Sequence, residues 1–340
     1  MAKLNMADIA RLSGVSLATV SRAIHTPDKV RDETRSKVLD AIREHNYIYN
    51  AAAADLSRRH SKVIGLLIPT TRSPVFAETI LAIQEYCQSA GYAVILGNTG
   101  YDAAVEKRLL QQFEERRVAG IILTGFTLAC ESEVADLRTH GIPHVVIWEN
   151  LHDQDINSVG FDNFKTAQKM TAYLISLGHR RIGLIIGPYS KVGRVRKRWE
   201  GFNFAMEKRG LVVDPSLVVE TEPTLENGEA AMSILLGLPE PPSAVFAASD
   251  VLAIGALKAA RQAGLAVPEQ VSIAGHDDIG FAAYTQPPLT TVRVKSYDIG
   301  RRAVEVLLDE IDSGKCRPRR HCLAAELVVR GSCGQFEPFL

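Results

Sequence analysis

Five apolar runs in the chain each end in residues that can recognise a polar ligand. Residues 63–68 lead to Pro69, Thr70, Ser73 and Phe76, and residues 144–148 lead to Glu149 and Asn150. Residues 182–186 run into a basic loop holding Lys191, Arg194, Arg196, Lys197 and Arg198. Residues 244–247 precede Ser249 and Asp250, and residues 271–274 precede His276, Asp277 and Asp278. Carboxylates accept from hydroxyls, and arginine donates in a planar fork. With a few aromatics this set suits a polyhydroxylated small molecule. Taken singly, each residue has a plainer use. An Asp after a strand caps a helix, and a basic loop faces solvent. The convergence of several loops on one end of a sheet is what marks a binding site.

Chemistry of other kinds is missing from the sequence. The first strand–helix turn has no Gly-x-Gly-x-x-Gly for a dinucleotide. No phosphate-binding Gly-x-x-x-x-Gly-Lys and no Gly-x-Ser-x-Gly nucleophile elbow occurs. The nine histidines include no His-Glu-x-x-His, and the five cysteines (Cys87, Cys130, Cys316, Cys322, Cys333) are scattered without zinc spacing. No catalytic residue, metal or cofactor is expected, and an enzyme is the weaker reading.

The elements that must carry these residues follow from the hydrophobic pattern. From residue 63, short apolar runs (63–68, 93–97, 120–123, 144–148, 182–186, 244–247, 271–274) alternate with helical stretches (76–90, 103–117, 163–177, 199–209, 250–263). That alternation means a parallel, doubly wound α/β sheet. Two smaller lobes fit the length better than one large sheet, because single cores stop growing near about 250–300 residues. Residues 5–45 read differently, as three short helices. Asn5 caps the first with Asp8 in a capping box, Gly14 breaks it, and Ser16 caps the second, Leu17 to Ile24. Asp32 caps the third, whose apolar face holds Val38, Leu39 and Ile42. Two short helices joined by a Gly-containing turn are a helix-turn-helix pattern. Within residues 46–61, the stretch from Asn50 to His60 has helix propensity but one large apolar side chain, Leu56, so it forms a linker that is helical only with a partner.

The 340 residues carry 39 Lys/Arg against 39 Asp/Glu, which excludes a uniformly basic coat and an acidic tail. Residues 1–61 nevertheless hold ten basic against seven acidic residues, a net of +3, balanced by −3 in the remainder. The asymmetry points to a separate N-terminal module. No apolar run reaches the roughly 18–20 residues of a membrane span. With no secretory signal core and an odd, scattered cysteine set, a reduced cytoplasmic protein is expected.

An ordered series of motifs resembles the LacI/GalR family of bacterial transcriptional regulators. It begins with Met6-Ala-Asp-Ile-Ala-Arg-Leu-Ser-Gly-Val-Ser-Leu-Ala-Thr-Val-Ser-Arg-Ala-Ile, followed by Val30-Arg-Asp-Glu-Thr-Arg-Ser-Lys-Val and Tyr47-Ile-Tyr-Asn. It continues with LGHRRIG (177–183), Arg198-Trp-Glu-Gly-Phe, SDVLAIGAL (249–257), VPEQVSIAGHDD (267–278) and PPLTTV (287–292). The resemblance implies an all-α helix-turn-helix headpiece (1–46), a hinge helix and linker (47–61) and a periplasmic-binding-protein-like α/β core (62–340). The core is implied to be two interleaved, doubly wound lobes, about 62–161 with 294–323 and about 162–293 with 324–340. It further implies a homodimer on operator DNA, repression as the default mode, and DNA affinity controlled by a small effector. The segment Gly334–Leu340 is too short for a tetramerising heptad tail and contains Pro338, so a dimer is expected.

By the same resemblance the second helix enters the major groove. Its first residues, Leu17 and Ala18, allow only apolar readout of thymine methyls, and Arg22 matches a guanine-reading arginine. Ser16, Thr19, Ser21 and Thr34 suit phosphate contacts, which position rather than specify. Asn50 and Ala53 fall among the hinge contacts, and Leu56 matches a leucine that wedges into the minor groove. Tyr49 replaces a usual Pro, and Ala54-Asp55 stand where polar or basic residues are usual, so no hinge contacts are expected beyond Asn50, Ala53 and Leu56. In the core the resemblance carries effector binding onto Phe76, Glu149, Arg198, Ser249, Asp250 and Asp277, with His276 in place of a usual Tyr. Arg194 and Arg196 beside Arg198 favour an anionic effector, a sugar acid such as gluconate or a hexuronate. A sugar phosphate, a neutral sugar, and a solute-binding protein without gene regulation are the alternative readings.

Overall fold

The computed structural model describes residues 4–47, 61–125, 127, 130–151, 156–315 and 318–336. Contacts divide the chain into two compact units, Met1–Ser61 and Lys62–Leu340.

In the first unit, α1 (Met6–Ser13), α2 (Leu17–His25) and α3 (Asp32–Glu44) enclose a small core. Asn5 Oδ1 accepts from the Ala7 and Asp8 amides, and Asp8 accepts from the Asn5 amide, which completes the capping box. Gly14 ends α1 in the left-handed conformation, φ 67°. Its missing side chain permits that turn. Ser16 then accepts from the Thr19 amide at 3.2 Å and starts α2. Asp32 does not cap α3. It is already the first helical residue, and Arg31 in the cap position makes no side-chain bond. Ile9, Ala10, Val20, Ala23, Val38 and Ala41 are buried together.

The second unit holds two parallel sheets. The six-stranded sheet contains β1 (Val63–Ile68), β2 (Ala93–Asn98), β3 (Gly120–Thr124), β4 (His144–Ile147), β5 (Asn157–Gly160) and β11 (Arg320–Cys322), in the order β11-β5-β4-β3-β1-β2. The four-stranded sheet contains β6 (Ile182–Ile186), β7 (Val218–Glu220), β8 (Ala244–Ala247) and β9 (Ser272–Ala274), in the order β7-β6-β8-β9. A short antiparallel pair, β10 (Thr291–Arg293) with β12 (Glu326–Val328), lies outside both. Between the strands run α4 (Pro74–Ser89), α5 (Ala103–Glu115), α6 (Glu131–Thr139), α7 (Asn163–Ser176), α8 (Gly193–Glu207), α9 (Leu225–Leu236) and α10 (Asp250–Gln262). The long α11 (Ser296–Ser313) packs on α4 and returns the chain to the six-stranded sheet. The chain therefore passes between the sheets three times, after β5, after β10 and after β11. Central strands such as β3, β6 and β8 are buried along their whole length, as expected where helices cover both faces.

Strand order reverses at β1/β3 in the first sheet and at β6/β8 in the second. These are the switch points where doubly wound sheets open a crevice at the strand carboxyl ends. Among the described residues, no helix is long and apolar enough to cross a membrane.

Candidate functional site

The basic loop expected after residue 186 is mostly helix. Arg194 and Arg198 lie in α8 at positions i and i+4, so their side chains share one face. Both are buried. Arg196 points away: its guanidinium donates to the Tyr189 and Ser190 carbonyls at 3.4 and 3.1 Å and is exposed. The helical period thus sorts a run of cations into two that face inward and one that ties down its own approach loop.

The inward face borders a narrow cavity of about 50 Å³. Phe76, Tyr101 and Trp148 line it from the six-stranded lobe; Arg194, Arg198, Ser249 and Asp277 line it from the four-stranded lobe. Arg198 is held rigidly. Its Nε donates to Asn163 Oδ1 at 2.8 Å and its Nη1 to the Ala248 carbonyl at 2.7 Å, while Nη2 lies 3.6 Å from Asp277 Oδ1. Asp277 is also 2.9 Å from His276 Nδ1, and His276 Nε2 is 3.1 Å from the Thr166 hydroxyl. Burial, then the nearby Arg198 charge, push the His276 pKa down to about 4. The imidazole is therefore neutral, and its Nδ1–H donates to the carboxylate.

Arg194 spans the two lobes: its Nη1 donates to the Thr124 carbonyl at the end of β3, at 3.1 Å. Nearby, Thr127 and Val192 form an isolated antiparallel bridge. Arg194 and Tyr101 also border a smaller chamber of about 10 Å³, lined by Glu106, Thr124, Gly125 and Thr127. Glu149 lies behind it. Gly125 has φ 63°, and a Cβ there would meet Arg194 Nη1 at 2.4 Å and Glu149 Oε1 at 2.8 Å. Burial raises the Glu149 pKa to about 6 against the opposing pull of Arg194. Glu106, which accepts from the Thr127 amide at 3.2 Å, is raised for the same reason.

Strain collects here. Of the described non-glycine residues with positive φ, Tyr101 (60°), Trp148 (69°) and Asp277 (115°) all line the main cavity. Such conformations cost about 1–3 kcal/mol each and persist at functional sites.

The cavity therefore gathers Phe76, Arg194, Arg198, Ser249 and Asp277 from the expected set. Glu149 stands one layer back. Asp250 is elsewhere: fully buried, it accepts from the Ile279 amide at 2.8 Å and the Thr291 hydroxyl at 2.5 Å, and it anchors the loop after β9. Arg196 is outside for the reason given above. Tyr101, Trp148 and Asn163 were not expected. Tyr101 follows the apolar run at 93–97 as a strand-end residue, and Trp148 sits inside the apolar run 144–148. A further cavity of about 250 Å³ lies at the end of α11. Its Asn157 donates to Glu310 at 2.5 Å and accepts from the Arg319 amide at 2.8 Å, so these polar groups serve one another.

In the first unit, α2 turns Val20 and Ala23 inward and leaves Leu17, Ala18 and Arg22 exposed, with Ser16 exposed at its start. Thr19, Ser21 and Thr34 are half-buried. Asn50, Ala53 and Leu56 lie outside the described residues.

Residues 5–50 match the model of the bacterial regulatory proteins of the lacI family, and residues 171–333 that of a periplasmic binding protein-like domain. The HTH-type transcriptional repressor CytR of Escherichia coli (strain K12) is 36% identical over 327 residues, covering 96% of this chain and 95% of its own. The chain belongs to the lacI family. The lac repressor dimer bound to operator and an anti-inducer superposes with a TM-score of 0.83 at 26% identity, covering 97% of this chain and 99% of that one. A transcriptional regulator, CelR, in complex with cellobiose gives a TM-score of 0.71 at 29% identity, with 97% and 99% covered. The protein is a DNA-binding transcriptional repressor controlled by a small-molecule effector, and not an enzyme. Both the headpiece and the two-lobed α/β core expected from sequence are shown.

Proposed function

We propose that this regulator is a homodimer whose effector is an anionic sugar, a sugar acid of the gluconate or hexuronate type. One observation carries the reading: two buried arginines, one helical turn apart, face the same cavity as a single carboxylate, Asp277, and an aromatic wall. Asn163 and Ala248 occupy two of the five Arg198 N–H groups, leaving its Nη2 edge for Asp277 and the cavity. A ligand carboxylate matches the two guanidiniums. Its hydroxyls match Asp277 and Ser249, and its ring or chain packs on Phe76. The cellobiose-bound relative supports the carbohydrate class without the charge, so a neutral sugar is the second reading.

In the headpiece, Leu17, Ala18 and Arg22 read base edges, with Ser16, Thr19, Ser21 and Thr34 on the phosphates. Asn50, Ala53 and Leu56 extend the contact through the hinge over residues 47–61. Effector binding changes the lobe arrangement and so the coupling free energy to the operator.

The test is thermal unfolding of the purified protein against D-gluconate, D-glucuronate, D-glucose and D-glucose 6-phosphate. A ligand at 100 times its dissociation constant stabilises by about 2.7 kcal/mol. Stabilisation by an acid and not by glucose upholds the anionic reading. Stabilisation by glucose alone replaces it with the neutral one.

A further inference from the structure

Trp148 is 1% exposed, and its indole Nε1 has no hydrogen-bond partner among the described residues. A buried donor left unmade costs about 1–3 kcal/mol, so it requires an explanation. Three further observations point one way. Trp148 lines the main cavity. Its backbone is held at φ 69°, a conformation that a bulky residue rarely adopts. Its ring is clamped edge-to-face between Phe76 and Phe161, with centroids 5.3 and 5.9 Å away. The clamp fixes the ring and Nε1 is itself buried, so a ligand oxygen reaches the donor only as the lobes rearrange around the ligand.

We propose that Trp148 is a specificity-determining residue of the effector site, its indole N–H donating to a hydroxyl or carboxylate oxygen of the ligand. This rests on the reading of the cavity as the effector site. It adds a lobe-one donor opposite the lobe-two arginines, so that a ligand is read from both lobes at once. An apolar ligand edge against Trp148 would leave the donor unmade, and the site discriminates against it.

Only Trp148 and Trp199 are present, and Trp199 stacks on Tyr189 in the approach to α8. The full-length Trp199→Phe protein, labelled with 15N-tryptophan, therefore shows one indole N–H resonance. The proposal expects a non-hydrogen-bonded proton in the free protein and a shift to a hydrogen-bonded position on adding D-gluconate. Trp148→Phe is expected to weaken gluconate binding about tenfold, the size of one hydrogen bond. If gluconate stabilises the protein but leaves the indole proton unmoved, the Trp148 proposal is overturned and the sugar-acid reading stands. If D-glucose alone stabilises and moves the proton, the Trp148 proposal stands and the charge reading falls. An indole proton already hydrogen-bonded in the free protein also overturns the Trp148 proposal.

Discussion

Gly125 offers the sharpest perturbation of the contact between the lobes. Replacing it with Ala puts a methyl at φ 63°, into the space held by Arg194 Nη1 at 2.4 Å and Glu149 Oε1 at 2.8 Å. The left-handed backbone alone costs about 1–2 kcal/mol. Arg194 must also leave the Thr124 carbonyl, a charge-assisted bond of about 1.5–3 kcal/mol. The expected destabilisation of Gly125→Ala is therefore about 2.5–5 kcal/mol. Gly264→Ala is the control, because Gly264 has φ 73° with nothing within 4 Å of its added methyl. It should lose only the backbone part. Urea unfolding of the two variants gives the difference directly as a shift in midpoint at constant slope. Effector titration should show weaker binding, about tenfold or more, in Gly125→Ala alone. Equal stability losses in the two variants, or unchanged effector affinity in Gly125→Ala, would refute the assignment of Arg194 as a link between lobes and part of the site.

Other outcomes follow from the same geometry. Arg22→Ala should cost about 1–3 kcal/mol on operator and relax base preference at one position, with binding to random DNA little changed; a competition gel-shift reads both. Leu56→Ala should weaken operator binding far more than random-DNA binding, and equal losses would remove the proposed minor-groove wedge. Glu149 titrates near 6 in the folded protein against 4.5 as its ordinary value, so the folded state holds the extra proton between those values. Stability should fall as pH rises through about 4.5–6, by up to about 2 kcal/mol. Glu149→Gln should flatten that part of the pH–stability curve.

How much could be read from sequence depended on length and period. β1, β6 and β8 were placed at their ends because each is an unbroken apolar run between polar turns. β7, β11 and β12 are three residues each and half-buried or exposed, and β10 is three residues with Thr291 and Val292 buried; all four are too short to show a period. In the site, Arg198 and Asp277 were placed by resemblance, and the structure seats both at the cavity. A basic loop makes Arg194 and Arg196 equivalent; only the helix over Gly193–Glu207 separates them. Asp250 follows a strand as a ligand-binding acid would, but its partners Ile279 and Thr291 come from distant sequence. The unsatisfied indole of Trp148 is a property of packing, and no sequence pattern carries it.

The triple passage of the chain between its sheets has a consequence for synthesis. The headpiece is contiguous and closed by local contacts, so it can fold once its first 47 or so residues emerge. The six-stranded lobe cannot. Its α11 cover and its edge strand β11 come from Ser296–Cys322, and until they arrive β5 presents an open edge. For most of translation a folded headpiece thus hangs from an incomplete core with an unpaired strand. Non-local closure of this kind is slow and exposed to misassembly. The nascent chain is consequently competent to touch DNA well before it is competent to answer its effector.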